Sequence, residues 1–274
     1  MGSFTTSDGL RLHYEDEGDG QPVLCLAGLT RNGADFRYLA PHLADTRLIR
    51  LDYRGRGQSE WAQDFHSYNI LREGQDAIEL LDVLGLDRVA LVGTSRGGLV
   101  AMALARSHPE RLAAVVLNDI GPVIEPEGLA RIMDYVGRPP PWPDYEAAAD
   151  ALSAEMAAEF PGVPRARWRE QAEAMYRQTK DGLALRYDPR LRDALLTQSG
   201  GPPPDPWSFA HGLAAIPTGV IRGARSDLLS ERTIVEMLHR YPGTRAVTVP
   251  DRGHVPFLDE PEAVALIRAI LETA

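Results

Sequence analysis

A serine with glycines two positions away on either side stands at Gly93-Thr94-Ser95-Arg96-Gly97, and Gly98 follows. The apolar run Val89-Ala90-Leu91-Val92 before it reads as a strand, and Leu99–Ala105 after it reads as a helix. In that setting the glycines allow a tight strand-to-helix turn that holds Ser95 exposed and strained. The helix N-terminus then aims unpaired N–H groups at negative charge growing on a substrate carbonyl. A serine hydroxyl is a poor nucleophile until a neighbouring base takes its proton. Among seven histidines, His254 is the best placed. It lies in Pro250-Asp-Arg-Gly-His-Val-Pro, directly after the strand-like Ala246–Val249, and so at the carboxyl end of a sheet, where open α/β sheets bind ligands. His13, His42, His66, His108, His211 and His239 fall in strand, helix or loop positions where surface or capping roles suffice.

The base needs an acid that fixes its tautomer and stabilises the imidazolium. Asp227 follows the strand-like Gly219–Arg222 and is preferred; Asp119 follows another strand-like run, Ala113–Leu117, and is the alternative. Asp251 is so close to His254 in sequence that a local turn role fits it better. A tetrahedral intermediate needs two N–H donors. Arg96 can supply one from its backbone, and the loop Ala27-Gly28-Leu29-Thr30 the other, with Leu29 N–H as the candidate. The chemistry these residues could do together is acyl transfer on an ester, lactone, thioester or amide.

Such residues must be brought together by a sheet. Short apolar runs recur at 23–27, 47–51, 88–92, 113–117, 218–221 and 246–249, several followed by helical patterning such as Ile70–Leu84. Strands buried on both faces look like this, which predicts an open, mostly parallel α/β sheet. Residues 10–17 alternate apolar with polar, as a half-exposed strand near the sheet edge does. Between Pro122 and Pro206 the alternation stops, and helix-forming segments stand between Pro139–Pro143 and Gly200–Pro206. This predicts a core of 1–121 and 206–274 with a helical cap, 122–205, inserted over the strand ends.

Composition narrows the partners. The 274 residues carry a formal charge of −10, which disfavours phosphate backbones and anionic lipid surfaces. There is one lysine, Lys180, against 28 arginines, so a single arginine near a site says little about ligands. The one cysteine, Cys25, sits in an apolar run and is expected as a buried hydrophobe. No Cys/His group has zinc spacing. No signal-like segment and no apolar stretch of about 20 residues is present, so a cytoplasmic location is expected.

These landmarks resemble the α/β-hydrolase superfamily along nearly the whole chain. Besides the Ser95 turn, Asp52-Tyr-Arg-Gly-Arg-Gly-Gln-Ser59 is similar to the family's D-x-R-G-x-G-x-S loop, and the order Ser95…Asp227…His254 matches its nucleophile, acid and base. Ser107-His-Pro-Glu-Arg and Gly253-His254…Glu260-Pro261 are also similar to common segments. The resemblance implies an α/β-hydrolase fold with eight mostly parallel strands, a helical cap and no cofactor or metal. The expected partner is a small-molecule substrate, with no nucleic acid and no membrane. Members that open epoxides or remove halides have aspartate at the turn, so Ser95 argues against both activities. A carboxylesterase or lactonase is the leading expectation. A carbon–carbon hydrolase of carboxylate-bearing ring-cleavage products, or a non-catalytic binding protein of the same fold, is the alternative. For a carboxylate-bearing substrate, Gly28, Arg31, Arg131 and Arg138 are the candidate contacts. The Arg96 side chain either favours an anion or points to solvent.

Overall fold

A computed structural model describes residues 1–198 and 205–274. In chain order the elements are β1 (Gly2–Thr5), β2 (Arg11–Glu17), β3 (Gln21–Leu26), β4 (Thr46–Leu51), α1 (Ile70–Val83), β5 (Val89–Thr94), α2 (Arg96–Ser107) and β6 (Leu112–Asn118). There follow α3 (Pro126–Tyr135), α4 (Tyr145–Glu155), α5 (Arg165–Met175), the hairpin β7 (Tyr176–Thr179) and β8 (Gly182–Leu185), and α6 (Leu191–Gln198). The chain returns through α7 (Pro206–Phe209), β9 (Thr218–Gly223), α8 (Glu231–Arg240), β10 (Thr244–Val249) and α9 (Pro261–Leu271).

Eight strands form one sheet in the order β1-β2-β4-β3-β5-β6-β9-β10. The pairings from β4 through β10 are parallel, and β1 and β2 join antiparallel at one edge. The central strands β3, β5 and β6 are mostly apolar because both faces are covered. Leu24 and Leu26 point into a core with Leu80 of α1 and Leu104 of α2, while Val23 and Cys25 point into a second core with Ile267 and Ile270 of α9. Cys25 is fully buried there.

The six apolar runs are β3, β4, β5, β6, β9 and β10, and the alternating stretch is β2. Two short elements escape a periodicity reading. β1 has four residues and owes its place to pairing with β2. The region read as helical also contains β7–β8, closed by Gly182 at φ +115°, a conformation that costs glycine little. The proline run 139–143 links α3 to α4 within that region; of the second stretch, Gly200–Pro206, residues 200–204 lie outside the described residues, while Asp205 caps α7 and Pro206 opens it.

The segment between β6 and β9 is tied to loops at the carboxyl ends of the strands. Asn32 Nδ2 donates to the Ala174 carbonyl at 2.8 Å, Tyr38 O–H to Glu170 at 2.6 Å, and Arg167 pairs with Asp259 at 2.6 Å. The Gly57 N–H also bonds the Arg186 carbonyl at 2.8 Å. Its own small core gathers Ala148, Leu152, Phe160, Trp168 and Ala172. Among the described residues no helix is long and apolar enough to cross a membrane.

Backbone approach explains the glycines of the Ser95 turn. A Cβ on Gly93 would lie 2.5 Å from the Gly97 carbonyl carbon, and one on Gly97 would run into the Leu26 carbonyl oxygen. Neither neighbour is a flexible side chain. Gly97→Ala is therefore expected to destabilise the protein by at least about 1–3 kcal/mol, seen as a lower urea midpoint. An unchanged midpoint would contradict this packing.

Candidate active site

β5 runs through the middle of the sheet and ends at Thr94, so the next residue emerges where the strand ends cluster. Ser95 has φ +50° and ψ −111°, well outside the usual regions, and such a residue costs about 1–3 kcal/mol unless its surroundings impose it. Here they do. Its N–H donates to the Asn118 carbonyl at 2.9 Å, and its carbonyl accepts from Gly98 N–H at 2.9 Å. The side chain is thus aimed away from both strand and helix.

His254 comes from the loop after β10. Its Nε2 is 3.0 Å from Ser95 Oγ and its Nδ1 is 2.7 Å from Asp119 Oδ2. A carboxylate only accepts, so Nδ1 carries the proton and Nε2 is left to accept from the serine hydroxyl. Asn118 Nδ2 bonds the Pro256 carbonyl at 3.1 Å, which ties the histidine loop to the end of β6.

The carboxylate that reaches His254 is therefore Asp119 and not Asp227. Asp119 is fully buried one residue past β6, at φ +55°, which aspartate tolerates better than most residues. Its Oδ1 accepts from Gly223 N–H at 2.7 Å, and its Oδ2 from Ser226 Oγ at 2.6 Å as well as from His254. Those two bonds fix the loop after β9 with Ser226 turned inward. Asp227, next in the chain, turns towards α3 and accepts from Arg131 Nε at 2.9 Å. Both aspartates stand at strand ends, so spacing along the chain could not rank them. The useful signal in the sequence was Ser226, a donor suited to bracing a buried carboxylate.

The loop after β3 lies against the serine. A Cβ added to Gly28 would be 3.9 Å from Ser95 Cβ and 3.3 Å from Arg31 Cγ. Arg31 N–H donates to the Gly28 carbonyl at 3.1 Å, closing a turn in which Leu29 N–H points opposite that carbonyl. Arg96 is the first residue of α2, so its N–H has no carbonyl one turn earlier within the helix.

The arginines singled out from sequence are engaged by the protein itself. Arg31 makes two bonds to Asp35, Nε at 2.7 Å, and a third to Gln171. Burial pushes its pKa down, but Asp35 outweighs burial and holds it above the ordinary value. Arg131 bridges Asp227 and Glu159. Arg138 is exposed, with Asp134 at 3.9 Å. The Arg96 side chain takes neither expected course: it is buried, with Nε 2.6 Å from Glu73 Oε2 and one Nη on the Tyr68 carbonyl. Arg56 pairs with the other oxygen of Glu73 at 2.8 Å. Burial pushes the Glu73 carboxyl up, but Arg56 and Arg96 together hold it below its usual pKa.

A sheet of this topology, with a serine on its central strand–helix turn facing a histidine from the last strand's loop, defines an α/β-hydrolase. The chain belongs to the alpha/beta hydrolase family, whose model matches residues 23–265. It is 34% identical to a 3-hydroxybutyrate-oligomer hydrolase of Cupriavidus necator, over 93% of this chain and 91% of that protein. It is 26% identical to a 2-(acetamidomethylene)succinate hydrolase of Mesorhizobium japonicum, over 95% and 90%. The crystal structure of an alpha/beta hydrolase from Novosphingobium aromaticivorans superposes with a TM-score of 0.92 at 42% identity, covering 100% of this chain and 98% of that one.

Proposed function

We propose that this protein is a serine hydrolase that cleaves carboxylic esters of small molecules through an acyl-enzyme. The observation that carries the proposal is the unbroken line Ser95 Oγ, His254 Nε2, His254 Nδ1, Asp119 Oδ2, with its two separations of 3.0 and 2.7 Å. Ser95 Oγ adds to the ester carbonyl as its proton passes to His254 Nε2, and Asp119 stabilises the imidazolium. Leu29 and Arg96 N–H groups receive the oxyanion. Collapse expels the alcohol, which takes the proton from His254. Water then gives a proton to the same nitrogen as it attacks the acyl carbonyl, and when that intermediate collapses His254 returns the proton to Ser95 Oγ and the acid is released. The segment 122–205 acts as a cap that limits substrate size.

Two considerations favour an ester over a carbon–carbon bond flanked by a carboxylate. The relative from Cupriavidus necator carries in its name an oligomer of a hydroxy acid, whose linkages are esters. Of the arginines weighed as substrate contacts, Arg31, Arg96 and Arg131 already hold carboxylates of this chain. Short oligoesters of hydroxy acids are accordingly the proposed substrate class.

The test begins with a fluorophosphonate probe followed by peptide mass mapping. Stoichiometric labelling at Ser95 is expected, and an unlabelled serine would remove the acyl-enzyme proposal. Acyl esters, hydroxybutyrate dimers and trimers, lactones and enol-dienoate ring-cleavage products are then compared by kcat/KM. Hydroxybutyrate oligomers are expected to lead; a preference for the dienoates would overturn the ester assignment.

A further inference from the structure

The loop Asp52–Ser59 contributes no atom to the hydrogen-bonded line through Ser95, yet it sends a fully buried arginine toward the site. Arg56 Nε donates to the Leu29 carbonyl at 2.9 Å, and its Nη1 donates to the Arg54 carbonyl at 2.7 Å. The guanidinium lies between the rings of Tyr53 and Tyr68, 5.6 and 5.5 Å from their centroids, which leaves it little freedom to swing. Its remaining partner is Glu73, in the first turn of α1. Glu73 Oε1 is 2.8 Å from Arg56 Nη1 and Oε2 is 2.6 Å from Arg96 Nε. One buried carboxylate therefore joins a side chain that holds the Leu29 carbonyl to the side chain of Arg96 itself.

Leu29 and Arg96 are the two residues whose N–H groups would face the oxyanion. The peptide before Leu29 is set by the Gly28–Arg31 turn, and the peptide after it by Arg56. Together these leave the Leu29 N–H one direction. Arg96 is held at its far end by Glu73 and the Tyr68 carbonyl. We infer that Arg56, Glu73 and Arg96 form a positioning device, in which a buried carboxylate clamped by two guanidinium groups sets the spacing between the two halves of the oxyanion hole. The inference rests on the acyl-enzyme reading above. Three buried charges are a costly way to fill space, since well-packed apolar residues of similar volume often do as well or better. The charge-assisted hydrogen bond from Arg96 Nε to Glu73 Oε2 has a direction that apolar packing lacks, and the Arg56 ion pair holds the same carboxylate from the other side.

Arg56→Lys separates this role from charge and volume. Lysine keeps a cation beside Glu73, but one ammonium cannot reproduce the planar fork that serves Leu29, Arg54 and Glu73 together. Arg96→Met is the second variant, because it leaves Arg56 and Glu73 as a balanced pair. The readouts are kcat and KM on p-nitrophenyl butyrate, the rate ratio between that ester and its thiono analogue, and the thermal midpoint. Sulfur is larger than oxygen and a weaker acceptor, so the ester/thionoester ratio reports how well the two donors fit an oxygen anion.

Losing one donor outright costs about 10²–10³ in rate, so misplacing one is expected to lower kcat by about 10–100-fold. KM should change little, and the ester/thionoester ratio should fall in proportion in both variants. A ratio equal to that of the wild type, whatever happens to the thermal midpoint, would overturn the inference and make the cluster a purely structural one. Should Arg56→Lys fail to fold, Arg96→Met decides by the same ratio. Fluorophosphonate labelling of the wild type separates the two failures. Unlabelled Ser95 defeats the acyl-enzyme reading and this inference with it, whereas labelled Ser95 with unchanged ratios defeats the positioning role alone.

Discussion

Asp119→Asn is expected to lower kcat by about 10⁴-fold while leaving the fold intact, and Asp227→Asn to lower it by less than tenfold. The difference follows from what each carboxylate touches. An asparagine at 119 can keep its carbonyl oxygen on Gly223 N–H, the bond that Oδ1 makes at 2.7 Å. Its NH₂ group then faces Ser226 and His254, where Oδ2 accepted from both. An amide N–H donates, so His254 Nδ1 must accept and the imidazole proton moves to Nε2. That nitrogen now points a hydrogen at Ser95 and cannot take the serine proton. Asp227→Asn only weakens an ion pair with Arg131, whose side chain is 45% exposed, and exposed pairs contribute little. Single-turnover acylation of both variants checks this. A larger loss in Asp227→Asn than in Asp119→Asn would show that the loop after β9 supplies the acid.

Ser95→Ala is expected to have the largest effect of all, a fall in kcat of about 10⁶-fold. Without Oγ there is no acyl-enzyme, and the remaining rate comes from the oxyanion donors and substrate binding. The thermal midpoint should stay within a few degrees of the wild type. Ser95 Oγ makes one hydrogen bond, to His254, and the unusual backbone at Ser95 is imposed by Asn118 and Gly98, which the variant keeps. Burst kinetics on a chromogenic ester provide the measurement. A burst that survives the substitution would mean that another nucleophile carries the acyl group.

The sheet was legible because a strand buried on both faces leaves a mark that needs no partner to be read. Val23–Ala27 and Ala113–Leu117 are continuous and apolar, the other runs are mostly so, and each falls in a strand. Ser95 was legible for a similar reason. Gly93 is required by the approach of the Gly97 backbone four residues on, a demand made within the turn itself, whereas Gly97 answers to the distant Leu26 carbonyl. The short strands β1, β7 and β8 were not legible, because four residues with a partner say little without that partner.

The strand-to-helix turn, the serine on it and the histidine after the last strand can all be read along the chain. Each depends on residues within a few positions of one another. Which of Asp119 and Asp227 reaches His254 is set by the fold, because it turns on which way a loop 104 residues further on points Ser226 and Gly223. The same holds for arginine. A cation 23 residues from its carboxylate, as Arg96 is from Glu73, reads in sequence as a free charge beside the serine. Folding brings the pair together in a buried setting, where an unpaired charge would cost several kcal/mol and pairing removes most of that cost. Charge pairing across the fold is set by three-dimensional proximity, and proximity between distant residues is what a linear pattern does not carry.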